Sequence, residues 1–280
     1  MTSTQGPSDP TSPAKREGDP ASSTPTITTR MILALALPSL GALIAEPLFT
    51  VIDSTMVGHL GTPQLAGLGI ASTVLNTAVG LFIFLAYSTT SLAGRHLGAG
   101  RRDRAIRSGV EAMWLAGGLG ALAAILLAVF ASPLLTWLGA DAATMPHALA
   151  YLRASAPGLV GMFVVLAATG TLRGLQDTRT PLVAASVGAA FNAVANWVLM
   201  YPLDLGVAGS GLGTAITQTL MAAFLGWMIV RAARREGVSL RPSTYGLFGA
   251  ALEGAPLLVR TLALRVALLA TLSAVTAIST

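Results

Sequence analysis

Long apolar segments separated by short polar turns follow one another along most of the chain. Each is long enough to cross the hydrocarbon core of a bilayer as a helix of about 20 residues. The pattern predicts six complete spans, at residues 31–56, 64–92, 108–131, 148–172, 181–202 and 208–231. A further apolar segment that begins near residue 254 predicts part of a seventh helix. The predicted fold class is therefore an all-α polytopic membrane protein.

Residues 1–30 differ from the rest of the chain because Ser, Thr, Pro and Gly dominate and apolar side chains are few. Such a segment cannot bury enough apolar surface to fold, so we expect a disordered tail. It is not typical of a secretory signal peptide, since its basic residues precede a long polar stretch and the first apolar segment is long enough to span a bilayer.

Composition supports a membrane protein and argues against several other classes. Hydrophobic residues make up 53% of the chain and charged residues 10%, with a mean hydropathy of +0.70. There is no cysteine, and the three histidines are scattered, so we expect no disulfide, no metal site and no cofactor. The glycine-rich segment 206–213 follows an apolar span and not a strand, and we interpret it as a turn that opens the sixth span.

The basic residues alternate along the chain in the way that fixes membrane orientation. Of 17 Lys and Arg, three lie in the tail, five after the second span, two after the fourth and four after the sixth. By the positive-inside rule, these segments are cytoplasmic, which predicts a multi-pass protein of the cell membrane with a cytoplasmic amino terminus. The net charge of +5 is thus explained by topology, and we expect no nucleic-acid partner.

Two carboxylates, Glu46 and Asp53, interrupt the first span. An acid at the bilayer centre costs about 2.5–3.5 kcal/mol on insertion scales and is by default a candidate functional site. Because the two lie seven residues apart, they share one helix face, about 10 Å apart. We interpret Asp53 as a proton or cation site. The alternative is a hydrated acid at the outer end of the helix that caps the next segment through Ser54, Thr55 and Thr62.

Amide side chains also lie within the spans. Asn192 and Asn196 have i,i+4 spacing and share one face of the fifth span, so they could serve a cavity or an ion near Asp53. Ordinary interhelical hydrogen bonding is the alternative. Asn76 and Gln218 are weaker candidates of the same kind. The glycines of the third span, Gly117, Gly118 and Gly120, are interpreted as a helix-packing surface.

Five short segments together resemble the multidrug and toxic compound extrusion (MATE) transporters, in the branch of the DNA-damage-inducible protein F. Their order and their positions relative to the six spans make the joint match more specific than any one of them. The segments are ALPSL around Pro38, EPLFTVIDSTMVGHLG at 46–61, AGRHLGAG at 93–100, LRGLQDTRTP at 172–181 and VAGSGLGT at 207–214.

The resemblance implies one six-helix lobe of a two-lobe transporter, in which an inward proton or sodium gradient drives export of cationic or amphipathic compounds. It assigns the family's ion-coupling acid to Asp53 and its helix-bending proline to Pro38. The family's Asn-x-x-x-Asp pair falls on Asn192 and Asn196, so an amide replaces the second acid. This departure favours protons over sodium and leaves Glu46 as the candidate second acid. We expect Asn76 and Met162 to line the substrate cavity.

The resemblance also divides the chain. We expect a cytoplasmic tail at 1–30, the amino-terminal lobe at 31–231, an inter-lobe linker at 232–253 and the start of a second lobe at 254–280. The expected partners are membrane lipid, a proton or sodium ion, an amphipathic small molecule, and either a second lobe or another copy of the chain.

Three other functions remain alternatives. A lipid-linked saccharide flippase would need a basic cavity for pyrophosphate, whereas the six spans contain almost no Lys or Arg. A non-transporting fragment that acts as a scaffold or regulator is consistent with the length of the chain. An enzyme is the weakest alternative, because no nucleophile and base occur in a recognisable arrangement.

Overall fold

The computed structural model describes residues 50–243 continuously, and in addition 2, 36, 40–41, 44, 47, 252, 255–256, 258–261 and 263–264. This part of the chain contains helices and turns and no strand. The first continuous helix, α1, covers 50–58. It is followed by α2 Thr62–Leu81, α3 Phe84–Gly98, α4 Arg102–Trp137, α5 Met145–Ser155, α6 Gly158–Gly174, α7 Arg179–Met200 and α8 Gly206–Arg235.

Five of the predicted spans correspond to helices of membrane length or to a bent helix pair. Four helical segments are long and apolar enough to cross a bilayer: α2 and α3 taken together, α4, α7 and α8. The bent pair α5 and α6 makes up a fifth candidate span. The all-α polytopic fold class is therefore confirmed. The predicted first span at 31–56 and the partial seventh lie largely outside the described residues.

The predicted fourth span, 148–172, is divided into two helices. The helices α5 and α6 meet at an angle of 53° across Ala156 and Pro157. Proline lacks a backbone N–H, and its ring clashes with the carbonyl four residues earlier, so it ends or kinks a helix. The prediction of one continuous helix is wrong at this position.

The segment between the third and fourth predicted spans is partly helical. Helix α4 continues past Pro133 to Trp137, and α5 begins at Met145. Leu135 is fully buried and Leu134 packs against the same core cluster. Burial of these two leucines stabilises the last turn of α4 although Pro133 removes one backbone donor.

Helix α6 lies at the centre of the bundle, where it packs against α3, α4 and α8. One core cluster, around Phe163, contains residues of all eight helices from α1 to α8, and a second contains residues of α4, α6, α7 and α8. Many large apolar side chains remain exposed, which is typical of helices that face lipid. Examples are Trp114, Ile125, Val129, Phe130, Val187 and Val194.

Glycines bring these helices into backbone contact. A Cβ atom at Gly120 of α4 would lie 2.7 Å from Val160 Cα of α6, whereas one at Gly118 would meet no atom of the described residues within 4 Å. Close helix packing at the predicted glycines of the third span is therefore seen at Gly120, and the described residues make no such contact at Gly118. On the other side of α6, Gly161 approaches α8 equally closely.

The segment after α8 folds back onto α4. Arg102 Nε lies 3.2 Å from Glu236 Oε1, and the indole N–H of Trp114 donates to the carbonyl oxygen of Leu240 at 3.1 Å. The Ser243 hydroxyl donates to Glu111 Oε1 at 2.8 Å. These contacts fix residues 236–243 against α4.

We predict that Gly161→Ala destabilises the bundle, because its Cβ atom would lie 2.7 Å from the backbone carbon and oxygen of Gln218. Overpacking of this kind costs about 1–3 kcal/mol. The free energy of unfolding in detergent, measured by SDS titration, should fall by that amount. Gly118→Ala is the matched control and should change stability little. Equal stability of the two variants would contradict the close approach of α6 and α8.

Candidate functional site

Asp53 lies in the last turns of α1, where it connects this helix to two others. Its side chain is 5% exposed. Oδ1 accepts a hydrogen bond from Asn196 Nδ2 of α7 at 3.0 Å and a second from the Ser210 hydroxyl of α8 at 2.5 Å. The hydrogen bonds of Asp53 therefore run to distant helices and not to the segment that follows it.

Asn192 and Asn196 form a reciprocal pair on one face of α7, as their spacing predicts. Asn196 Nδ2 donates to Asn192 Oδ1 at 3.1 Å, and Asn192 Nδ2 donates to Asn196 Oδ1 at 3.3 Å. Both side chains are almost fully buried. The structure thus brings Asp53 and both asparagines together, with Asn196 making the direct contact between helices.

The glycine-rich segment 206–213 makes room for this cluster. It forms the first turns of α8, and a Cβ atom at Gly209 would lie 2.7 Å from the backbone carbon of Leu199 in α7. A Cβ atom at Gly213 would collide with Asn196 Oδ1. The interpretation of this segment as a turn is therefore incomplete, because three of its glycines lie inside α8 at close contacts with α5 and α7.

Ser210 was not predicted from the sequence. It stands between Gly209 and Gly211 and is fully buried. Serine is common in membrane helices, so its residue type alone gave no signal. Its position between two glycines of close approach is the feature that could have identified it.

A cavity of about 270 Å³ opens next to Asp53 and extends between the helices. Asn76 of α2 and Met162 of α6, both predicted for the substrate cavity, line it, as does Gln218 of α8. Asn192 and Asn196 of α7 are not among the lining residues, although Asn196 donates a hydrogen bond to Asp53. Further lining residues are Ile83, Tyr87, Arg173 and Pro181.

Two predicted site residues, Glu46 and Pro38, lie outside the described residues. Within the described part of the chain, no three His, Asp or Glu side chains lie close enough together to hold a metal ion. The chemistry available at the cavity is therefore that of one buried carboxylate with neutral donors, and of one guanidinium.

We predict that Ser210→Ala destabilises the protein by about 1–3 kcal/mol, because it removes one of the two hydrogen bonds that the described residues donate to a buried carboxylate. The free energy of unfolding in detergent measures this loss. Ser155→Ala makes the same change at another fully buried serine, whose hydroxyl donates to the Tyr151 carbonyl of its own helix at 2.8 Å. The argument fails if Ser210→Ala costs no more than Ser155→Ala.

Comparison with known proteins identifies the family. The MatE family model matches residues 38–198, more than half of the chain. DNA damage-inducible protein F of Escherichia coli strain K12 is 32% identical over 211 residues, which cover 73% of this chain and 45% of that protein. Protein DETOXIFICATION 44, chloroplastic, of Arabidopsis thaliana is 32% identical over 210 residues, which cover 71% of this chain and 40% of that protein.

Among solved structures, the crystal structure of MATE in the bent conformation superposes with a TM-score of 0.76 at 24% identity, over 85% of this chain and 54% of that one. This likeness concerns the fold. The chain spans about half of the length of these relatives, or less. Its match to the family model, supported by these relatives, identifies the chain as a member of the MatE family of transporters.

Proposed function

We propose that the chain is the amino-terminal lobe of a cation-coupled antiporter that exports drugs or other amphipathic compounds. One observation carries this proposal: Asp53 lines the cavity while its carboxylate is hydrogen-bonded to α7 and α8. A group in this position can exchange a proton or cation through the cavity and transmit the change to the helix packing.

Protonation of Asp53 would change its hydrogen bonding. An ionised carboxylate is purely an acceptor, which suits the donors of Asn196 and Ser210. A protonated carboxyl group is a weaker acceptor because its hydrogen bonds are no longer charge-assisted, so the contacts between α1 and the other two helices weaken. We infer that α1 then bends at Pro38, reduces the cavity and displaces the substrate outward.

The proton is the proposed coupling ion. Asn196 supplies an amide where the family pattern has a second acid, so Asp53 is the one acid that lines the cavity among the described residues. Binding of a metal cation favours several oxygen ligands with negative charge, whereas a proton needs a single carboxylate. Glu46 stays a candidate second acid.

The cavity suits a small amphipathic ligand. Its volume of about 270 Å³ is close to the lower end of the range for ligand pockets, roughly 300–1,000 Å³. Its walls are mainly apolar, with a few amide and hydroxyl groups such as Asn76 and Gln218. Apolar walls with few polar groups are typical of sites that bind many related compounds.

We also propose how the lobe is oriented in the membrane and what it pairs with. The lobe at 31–231 would sit in the cell membrane with the tail at 1–30 in the cytoplasm. The linker at 232–253 and the segment at 254–280 would lead to a second lobe, and another copy of the chain is the alternative partner. The distribution of Lys and Arg among the loops supports this orientation.

We predict that Asp53→Asn abolishes gradient-driven efflux in the full-length product of the gene and leaves expression intact, because the amide cannot release a proton. Dye uptake into inside-out membrane vesicles with an acidified lumen measures this, because export from the cell corresponds to uptake into such vesicles. Asp204→Asn is the matched control, since Asp204 is exposed in the turn before α8 and its positive φ of 51° is one that Asn tolerates. Unchanged efflux in Asp53→Asn would overturn the assignment.

We also predict that Asn196→Asp gives efflux a sodium dependence that the wild type lacks. This change puts a second carboxylate beside Asp53 Oδ1, which Asn196 Nδ2 contacts at 3.0 Å. Efflux driven by a sodium gradient at constant pH should rise several-fold. Asn192→Asp is the control, because the hydrogen bonds of Asn192 run to Asn196 and not to Asp53. The same sodium response in both variants, or in the wild type, would contradict a proton-coupled site.

A further inference from the structure

Arg173 brings a positive charge to the cavity at the end opposite Asp53. Of the side chains that line the cavity among the described residues, Asp53 and Arg173 carry charge. The lining residues of α6 run from Met162 to Arg173, about 16 Å along the helix axis. Charge patterning alone assigns Arg173 to a cytoplasmic loop, but α6 continues to Gly174 and the side chain belongs to the cavity wall.

Among the described residues, no acidic side chain pairs with the Arg173 guanidinium. Its Nε is buried and has no hydrogen-bond partner among the described residues. Other arginines of the same region do have acidic partners: Arg107 Nε lies 3.3 Å from Glu111 Oε1, and Arg102 Nε lies 3.2 Å from Glu236 Oε1. A buried donor without a partner is costly, so a ligand that supplies an acceptor gains affinity by satisfying it.

The backbone that carries Arg173 is held firmly against α3. A Cβ atom at Gly174 would lie 2.7 Å from the Thr90 carbonyl oxygen, and the Thr90 hydroxyl donates to the Gly170 carbonyl oxygen at 3.0 Å. Tyr87 of α3 also lines the cavity. The backbone of Arg173 is therefore fixed before a ligand arrives, which reduces the entropic cost of binding.

The two charged ends are well separated. Asp53 is bonded to Asn196 near the outer end of α7, whereas Pro181, which lines the cavity, lies in the first turn of that helix. Fifteen residues of helix correspond to about 22 Å. The turn at 175–178 joins Arg173 to the start of α7, which places Arg173 far from Asp53. Repulsion by the Asp53 carboxylate therefore does not prevent an acidic ligand group from binding at Arg173.

We propose that Arg173 forms a carboxylate-binding subsite at the inner end of the cavity. The compounds that this lobe accepts then include amphipathic molecules that carry a carboxylate in addition to an apolar or cationic body. Arginine matches the two oxygens of a carboxylate with two parallel N–H groups, and the apolar walls beside it, such as Ile83, suit an attached ring. This inference rests on the proposed function, since it uses the same cavity.

Two fluorescent probes of matched size test the subsite. Both are 4-(4-dimethylaminostyryl)pyridinium cations; one bears an N-carboxymethyl group and the other an N-carbamoylmethyl group, so that they differ by one carboxylate. Binding to the protein in nanodiscs is measured by fluorescence anisotropy. Arg173→Gln should weaken binding of the carboxymethyl probe about tenfold or more and change that of the carbamoylmethyl probe less than about twofold. Arg173→Lys should fall between wild type and Arg173→Gln.

Arg179→Gln is the matched control. Arg179 is exposed at the start of α7, carries the same charge in the same predicted cytoplasmic region and does not line the cavity. If Arg173 serves membrane orientation alone, the two Gln variants should behave alike, and the proposal is overturned. An equal loss of affinity for both probes in Arg173→Gln also overturns it, since this indicates a structural role.

The outcomes separate this subsite from the proposed function. One outcome is that the wild type binds the carbamoylmethyl probe in an Asp53-dependent manner while Arg173→Gln leaves binding of the carboxymethyl probe unchanged. That result rejects the subsite and retains the transporter cavity. Failure of both probes to bind the wild type rejects the small-molecule cavity and the subsite with it.

Discussion

The pair of hydrogen bonds that Asn196 and Ser210 donate to Asp53 is the constraint on which the rest of the bundle depends. A carboxylate inside a membrane span is expensive unless donors from other helices meet it. Those donors, Asn196 of α7 and Ser210 of α8, follow Asp53 in the sequence by more than 140 residues. To meet one carboxylate oxygen, the two helices must approach each other closely, and Gly209 and Gly213 permit this because a side chain at either position would collide with α7. The small residues of α8 are therefore a consequence of the acid in α1.

The same arrangement explains why the cavity lies where it does. The helices converge around Asp53, and backbone contacts hold α6 against α3, α4 and α8. They leave a space that residues of α1, α2, α6, α7 and α8 line. The bend at Pro157 divides α5 from α6, so Tyr151 and Met162 reach this space from two different helix directions. The same helix packing thus both buries Asp53 and leaves the cavity beside it.

The sequence predicts those site residues that are energetically costly in an apolar span or that recur at helical spacing. Asp53 stood out because an acid in an apolar span is expensive, and Asn192 and Asn196 because i,i+4 amides share a helix face. Ser210 could not be predicted in the same way, because a small hydroxyl is ordinary in a membrane helix and its partner lies 157 residues away. Arg173 was assigned to a loop because a charge near the end of a span fits the positive-inside rule equally well. The bend between α5 and α6 could have been predicted, since Pro157 stands inside the apolar segment.

The distance between the two charged ends limits how they can influence each other. Two unit charges about 20 Å apart interact by about 0.8 kcal/mol at an effective dielectric constant of 20. If the helices stay fixed, protonation of Asp53 therefore changes the affinity for an anion at Arg173 by a few-fold at most. Coupling free energies between sites are typically about 1–3 kcal/mol. Under the proposed function, coupling of that size would arise from movement of α1 relative to α7 and α8, which would break the hydrogen bonds of Asp53.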